Sequence, residues 1–394
     1  MEAVHIEFSP ERDAAIFEAL PAKPAVFTLR GEEGSEPYVS KTADLRRRLK
    51  RLLAPPEGQS KRLNLRDRVR TIDYQLTGSD FESRWALYQA LRREFPKDYA
   101  DRLKLRPAPL VKLNLDNPYP RAYVTRRITN LKGKSQFYGP FQSRAAAEKF
   151  LNDSLDLFKM RRCDFDLNPD PQFPGCIYSE MKMCLAPCFQ GCTDEAYVEE
   201  VARVRRFLDT AGESLTRELE AEREKASAEL AFEQAAALHA RLEKVHAAAH
   251  QRPEIARRLD LLRGLIIQPS SESGCVAFFL LEAGRLAGPT PFPVQDQGEG
   301  KHLSMESRIL AALDAAPHPA AGPASELVEH LALLKRWVFR TQRVGELFLA
   351  DDSGELPMRR IVRGVSRVFR GEKEGSWSVP AGQLRIEPTL EEPQ

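Results

Sequence analysis

The chain lacks any long apolar run. No stretch of its 394 residues approaches about eighteen consecutive apolar positions, which excludes an ordinary membrane-spanning helix. It opens MEAVHIEFSPERDAAIF, with early acids and no apolar segment ahead of a small-residue cleavage site, so no secretory leader is read and a cytoplasmic location is expected. It also lacks a large net charge: the formal value is only +2. What it does not lack is core-forming material. At 42% hydrophobic residues, a chain of this length predicts two to four folded domains.

The small total conceals an uneven distribution of charge. Lys41 to Arg70 holds eleven Lys/Arg against three Asp/Glu, and Ala90 to Lys134 holds twelve against four. From Glu195 to Val245 the balance reverses, with twelve acids against eight bases. The first third therefore suits a polyanion and the middle another protein, unless these runs are simply solvated faces.

Six cysteines are present, and five (Cys163, Cys176, Cys184, Cys188, Cys192) fall within thirty residues. In a chain read as having no leader, such clustering favours a metal or cluster site over disulfides or unpaired loop thiols. Cys163, Cys176, Cys184 and Cys188 give C-x(12)-C-x(7)-C-x(3)-C, embedded in RRC, PGC and MCLAPC. Four thiolates from a Pro-rich loop and a helix entry suit either an iron-sulfur cluster or tetrahedral zinc, and spacing does not separate the two. Cys192 is a substitute ligand in reserve, and Cys275, in GCVAFF, reads as an ordinary buried thiol.

Patterning places these motifs on an α+β multidomain chain. PAVFTLR (24–30) and EPYVS (36–40) read as strands joined by GEEGS, followed by a basic helix from TADLRRRLKRLL with Thr42 as N-cap. IDYQLTG reads as a third strand. DFESRWALYQALRREF then sets Phe81, Trp85, Tyr88 and Phe95 in an amphipathic stripe. RAYVTRRIT reads as a strand, YGPF as a turn, SRAAAEKFLNDSLDLFKM as a helix and NPDPQFPG as loop. TDEAYVEEVARVRRFL, with Thr193 at its N-cap, and two further stretches, ESLTRELEAEREKASAEL and FEQAAALHARLEKVHAAA, read as helices. The last two form a hairpin whose single narrow seam either packs on a neighbour or recruits a partner helix. GCVAFFLLEAGRLAG reads as a strand pair, SRILAALDAA and SELVEHLALLKRWVF as helices, FLADDSGELP as strand and turn, and the last twenty or so residues as frayed.

The order of these parts resembles the UvrC family, the incising component of excinuclease ABC, over roughly residues 15 to 250. Three signatures carry the resemblance: a GIY-YIG-like start (AVF at 25–27, YVSK at 38–41, the helix ending RRRL), the stretch PRAYVTRRI to FKMRRC, and CLAPC followed by a UVR-type hairpin in AELAFEQAAALHARL. The resemblance implies a GIY-YIG-like domain at 15–105, a linker and four-cysteine module at 106–192, a UVR-like hairpin at 193–250 and a C-terminal α+β domain of unassigned role at 255–380. It carries the family's catalytic tyrosine, lysine and arginine onto Tyr38, Lys41 and Arg48, and its four cluster cysteines onto Cys163, Cys176, Cys184 and Cys188, with a [4Fe-4S] cluster expected ahead of zinc. Two family positions differ: the first-strand tyrosine is Phe27 and the YIG glycine is Ser40.

The family's metal-binding glutamate sits in a pattern that aligns with TGSDFESRWALYQALRREFPKDY, and it falls on Leu87. Asp80 and Glu94 lie seven residues to either side, displaced about 10 Å along a helix, too far to replace a ligand whose oxygen must stand about 2 Å from Mg²⁺. Incision by this domain is therefore not expected, and Mg²⁺ is expected only if the nuclease site is active. Arg46, Arg47, Arg48, Lys50 and Arg51 place cations nearly all round their helix, suited to nucleic-acid phosphates without sequence reading. DNA is the expected partner, although RNA fits the same composition, and Tyr38, Trp85 and Tyr119 are candidate stacking residues. In the hairpin, Leu219, Leu230, Phe232, Ala235, Ala236, Leu238 and Leu242 form the expected seam, with Phe232 fixing the turn. The resemblance makes Phe232, Ala235, Ala236, Leu238 and Leu242 a docking element for the damage-loading protein UvrB, although His239 and Ala240 replace the family's Arg-Asp pair. From Leu259 onward no acidic RNase H-like strand and no paired helix-hairpin-helix repeats are read, so a shortened relative is expected. Active single-site endonuclease and iron-sulfur redox-sensing or structural protein stand as the alternatives.

Overall fold

The computed structural model describes residues 4–56, 63–129, 133–295 and 303–372. Its described residues form twelve α-helices and three four-stranded antiparallel sheets, a mixed α+β architecture. The terminal segment read as frayed lies outside them.

The first unit comprises β1 (Val4–Glu7), α1 (Asp13–Ala19), β2 (Ala25–Arg30), β3 (Tyr38–Thr42), α2 (Leu45–Leu53), β4 (Thr71–Leu76), α3 (Asp80–Glu94) and α4 (Tyr99–Leu103). Its sheet runs β1-β4-β2-β3. β2 is internal and almost wholly buried, whereas β3 forms an edge and stays half-buried, which leaves Tyr38 to Lys41 open for a site. β3 extends through Thr42, which pairs with Ala25, so Thr42 is not the helix cap. Asp44 caps α2 instead, its carboxylate accepting from the Arg47 N–H at 2.9 Å. Along α2, Leu45, Leu49, Leu52 and Leu53 are buried against Phe27 and Leu29, so the cations cover only part of the helix. β1, unread in the sequence because VHIE is short, pairs with β4 and lies outside the expected start at residue 15.

α3 is buried on two faces. Ala86 and Ala90 pack with Val26 of β2, and Leu87 lies partly buried beside them. The aromatic stripe Phe81, Trp85 and Tyr88 faces away, into the core of the third unit. Phe95 leaves that stripe because the helix ends there; its ring instead lies 3.7 Å from the Arg102 guanidinium.

The second unit contains β5 (Leu110–Asn114), β6 (Arg121–Thr125), β7 (Gln136–Gly139), α5 (Arg144–Leu155), α6 (Ile177–Glu180), α7 (Asp194–Asp209), α8 (Glu213–Ala228), α9 (Phe232–His250) and β8 (Arg257–Arg258), with sheet order β6-β5-β7-β8. Ser143 and Thr193 cap α5 and α7 through their side-chain oxygens. Phe141, Phe150, Phe207, Leu215, Leu219, Leu242 and Val245 share one core, so segments drawn apart at residues 192 and 193 pack as a single body.

The third unit comprises β9 (Gly264–Pro269), β10 (Cys275–Glu282), β11 (Arg285–Pro293), α10 (Met305–Ala315), α11 (Ala324–Val338), β12 (Glu346–Leu349) and α12 (Met358–Arg370), with sheet order β11-β10-β9-β12. One sheet face meets α10 and α12, and the other meets α11 and α3. The junction with α3 is specific. Phe81 meets Phe279 edge to face at 5.0 Å, the Trp85 indole N–H donates to the Gly288 carbonyl at 2.7 Å, and the Tyr88 and Tyr99 hydroxyls donate to Glu329 at 2.9 and 2.8 Å.

Candidate nucleic-acid interface and cysteine site

A cavity of about 520 Å³ opens beside the edge strand β3, walled by Tyr38, Ser40, Lys41, Arg68, Leu87 and Arg102 among others. The Arg48 guanidinium donates to the Tyr38 hydroxyl at 2.9 Å, so two of the expected positions meet. The third faces elsewhere as well. The Lys41 ammonium donates to Asp80 at 2.5 Å, and Asp80 also accepts from Arg84 at 2.8 Å and Arg340 at 2.5 Å. Burial pushes the Asp80 carboxyl up, but hydrogen bonds from Lys41 and Arg84 outweigh it and hold the group down at about 2. Asp80 is thus a saturated ion-pair centre.

Leu87 lines the same cavity as Tyr38, so a hydrocarbon side chain occupies the wall where the alignment calls for a carboxylate. Glu94 pairs with Arg30 at 2.7 Å. Glu82 is fully buried and accepts from the Gly78 N–H at 2.7 Å, and burial pushes its pKa up to about 7. Glu36 is the carboxylate among the cavity-lining residues, held by Arg102 at 2.6 Å. Sequence reasoning missed it because it lies two residues ahead of the YVSK motif, outside the positions that the resemblance carries over. The replaced positions follow their surroundings: Phe27 is 1% exposed in the core, and Ser40 lines the cavity.

The basic residues divide. Arg47, Lys50 and Arg51 are exposed on α2. Arg46 instead donates to the backbone carbonyls of Leu20 at 2.6 Å and Glu18 at 3.2 Å, which ties α2 to α1. Of the proposed stacking residues, Tyr38 alone lines the cavity. Trp85 is core, and Tyr119 packs beside Tyr197 while donating to Asp194 at 2.9 Å.

Cys163, Cys176, Cys184 and Cys188 all line one small cavity with Arg161, Phe173 and Tyr178. As placed, no group of three or more His, Cys, Asp or Glu among the described residues converges closely enough to hold a metal ion. Sharing a cavity wall is the weaker relation, and it is the one that these thiols satisfy. Their surroundings fit a thiolate set in its chemistry. The Arg161 guanidinium donates to Cys163 Sγ at 3.2 Å, the Ala186 N–H donates to Cys184 Sγ at 3.3 Å, and Arg161 itself is 1% exposed. Burial pushes the Cys184 thiol up to about 11, so metal binding there would displace its proton. Cys192 stands outside this cavity and packs at the edge of the α7 core.

The helical hairpin departs from the expected seam. Leu219 and Leu242 are buried and Leu238 is partly buried, but Leu230 and Phe232 are 70% and 67% exposed and Ala236 is exposed, while Ala235 is intermediate. Only the base of the hairpin meets the core. Leu230 adopts a positive φ at the turn, which directs the chain without any packing by Phe232.

Residues 108–207, which include all of these cysteines, match the family model of the UvrC/Cho excinuclease middle domain. The chain is UvrC-like. It is 34% identical to UvrABC system protein C of Solibacter usitatus over 229 residues, covering 56% of this chain and 35% of that protein. It is 30% identical to that of Natronomonas pharaonis over 277 residues (68% and 45%), and 24% identical to that of Thermoanaerobacter sp. (strain X514) over 271 residues (68% and 44%). This UvrC-like chain thus spans between about a third and a half of the length of these curated relatives. No solved structure matches it. No helix among its described residues is long and apolar enough to cross a membrane.

Proposed function

We propose that this UvrC-like chain binds DNA in nucleotide excision repair or a related pathway, and that its first unit grips phosphate without incising it. The observation that carries the reading is Leu87 on the wall that Tyr38 and Lys41 share. Hydrolysis of a phosphodiester needs a carboxylate-held divalent cation to offset charge on the phosphorane, and an alkyl group holds none. Mg²⁺ therefore finds no ligand at the Leu87 position of this wall. Tyr38 and Arg48, joined by their hydrogen bond, remain able to meet a phosphate oxygen, with Arg47, Lys50 and Arg51 exposed on the same helix as Arg48. The test is incision of a damaged duplex with Mg²⁺ or Mn²⁺, with and without UvrB. No cleavage is expected, and metal-dependent cleavage lost in both Tyr38→Phe and Arg48→Ala overturns the reading.

One observation favours a second reading, a surviving single-site endonuclease. Glu36 shares the Tyr38 cavity and could exchange its Arg102 partner for a cation. Cleavage abolished by Glu36→Gln selects it.

The four cysteines are proposed to hold a [4Fe-4S] cluster, with zinc as the alternative. A bound cluster supplies a structural staple and an electron store, the latter being the basis of a redox-sensing role. Cys163 and Cys184 already accept N–H hydrogen bonds that stabilise ligated sulfur. Visible absorbance after anaerobic purification, lost in Cys184→Ser, supports iron-sulfur; stoichiometric zinc without colour replaces it. The exposed Leu230 and Phe232 support the hairpin as a docking element for a partner helix such as that of UvrB.

A further inference from the structure

A second cleft, of about 390 Å³, lies between the first and third units. Its floor contains Gln268, on β9. In the run GLIIQP this residue is the polar member of a strand buried in all but its last residue; it is 0% exposed, and neither its amide nitrogen nor its amide oxygen has a hydrogen-bond partner among the described residues. A buried polar group left unpaired loses its hydration without replacement, so an amide with both ends unmet calls for a complement. The local backbone accommodates it: Gly345 has φ +82°, and any side chain there would collide with the Gln268 amide.

The rest of the wall supplies two further kinds of contact. Phe81 and Trp337 line it with aromatic surface, and the Arg343 guanidinium lies 5.1 Å from the Trp337 ring centre. Lys41 and Arg340 enter from opposite units and meet at Asp80, at the N-terminal end of α3. With Arg84 also on Asp80, three cations surround one carboxylate, which leaves a positive excess at the cleft.

We propose that this cleft is a nucleotide-binding site, in which the Gln268 amide pairs with the polar edge of a base, the aromatic wall packs its ring, and Lys41 and Arg340 receive its phosphate. An amide offers a donor and an acceptor side by side, which matches the paired donor and acceptor on a base edge. The nucleotide is either free or one unit of a bound strand. Because Lys41 also lines the Tyr38 cavity, an occupant here draws on a cation of that site.

The test is isothermal titration of the full chain with each deoxynucleoside monophosphate, inorganic phosphate, a single-stranded oligodeoxynucleotide and the same oligonucleotide containing an abasic position. Saturable binding of a monophosphate, at least tenfold tighter than inorganic phosphate, is expected, with Gln268→Leu weakening it about tenfold. Gln268→Leu replaces an unmet polar group by one of similar size, so its Tm should equal or exceed that of the wild type, and a folding defect is thereby separated from a lost contact. Arg340→Ala should weaken the nucleotide but not the corresponding nucleoside. Oligonucleotide binding that falls with Gln268→Leu, and is insensitive to that change when the strand is abasic, assigns the site to a strand. Phosphate binding as tightly as the nucleotides, equal binding by wild type and Gln268→Leu, or no saturable binding in any arm overturns the proposal. A separate Arg47/Lys50/Arg51 triple alanine variant reports on duplex binding, so failure here leaves that reading distinct.

Discussion

The Tyr38 cavity and the cysteine cavity differ in what a single substitution removes. The first brings together a hydroxyl, a guanidinium and an ammonium from β3 and α2, and the wall contributed by α3 is hydrocarbon at Leu87. The second has all four sulfur donors on one cavity wall, with N–H donors already aimed at two of them. Gripping phosphate is additive across several cations and survives the loss of one part, whereas hydrolysis requires the metal and is lost with its ligand. On the proposed reading, the first cavity keeps its phosphate-gripping residues and lacks the ligand that hydrolysis needs.

Restoring the carboxylate should break the comparison most sharply. Leu87→Glu is expected to create Mg²⁺-dependent nicking of duplex DNA at least about 100-fold above wild type, equivalent to roughly 2.7 kcal/mol of barrier, while Leu87→Gln does not. A nicking assay with and without chelator decides it.

The cavity also depends on a helix held from behind. Trp85→Ala removes the indole packed against Phe279 and His330 together with its hydrogen bond to Gly288, and should cost about 3–5 kcal/mol in chemical denaturation. The corresponding change on the opposite face, Leu87→Ala, should cost less, because Leu87 is only partly buried.

Glu82 gives the comparison a pH dependence. Burial raises its folded-state pKa to about 7 from an ordinary 4.5, the Gly78 N–H opposes that rise, and Glu272 adds to it. The folded state binds the extra proton between these values, so stability falls as pH rises from about 4.5 to 7, by an amount on the order of 3 kcal/mol, and no penalty remains below 4.5. Denaturation of wild type and Glu82→Gln across that range should diverge upward in pH and converge below it.

The smallest effects belong to the exposed cations. Replacing Arg47, Lys50 or Arg51 singly by Ala should each lower the slope of log affinity against log salt by about 1 and leave sequence preference unchanged. Arg46→Ala should instead reduce stability, since its guanidinium is spent on the carbonyls of Leu20 and Glu18.

The hairpin β2–β3, the third strand β4 and the helices α3, α7, α8 and α9 were legible because each has a period, a cap or a turn residue written locally. Even there, α2 was read as cationic nearly all round, since a dense run of arginines hides the four leucines that interleave with it. Some missed elements are short or almost uniformly buried: β1 has four residues, and β9, GLIIQP, shows no alternation because both of its faces are covered. α12 was missed although Ile361, Val365 and Val368 recur at helical spacing, because its arginines dominate the run. The hairpin seam was overextended toward Leu230 and Phe232, because apolar spacing alone does not reveal where the neighbouring helices stop.

By itself the sequence determined the α+β class, the likeness to UvrC, the cysteine set and the absence of a carboxylate at Leu87, since all of these are matters of residue type and spacing. Only the tertiary structure decided what meets what. It placed Leu87 on the wall with Tyr38, turned the aromatic face of α3 into the third unit, drew Arg340 onto Asp80 across 260 residues of chain to stand beside Lys41, and buried Gln268 without a partner among the described residues. The physical reason is that contacts between distant segments depend on packing, which no local period encodes.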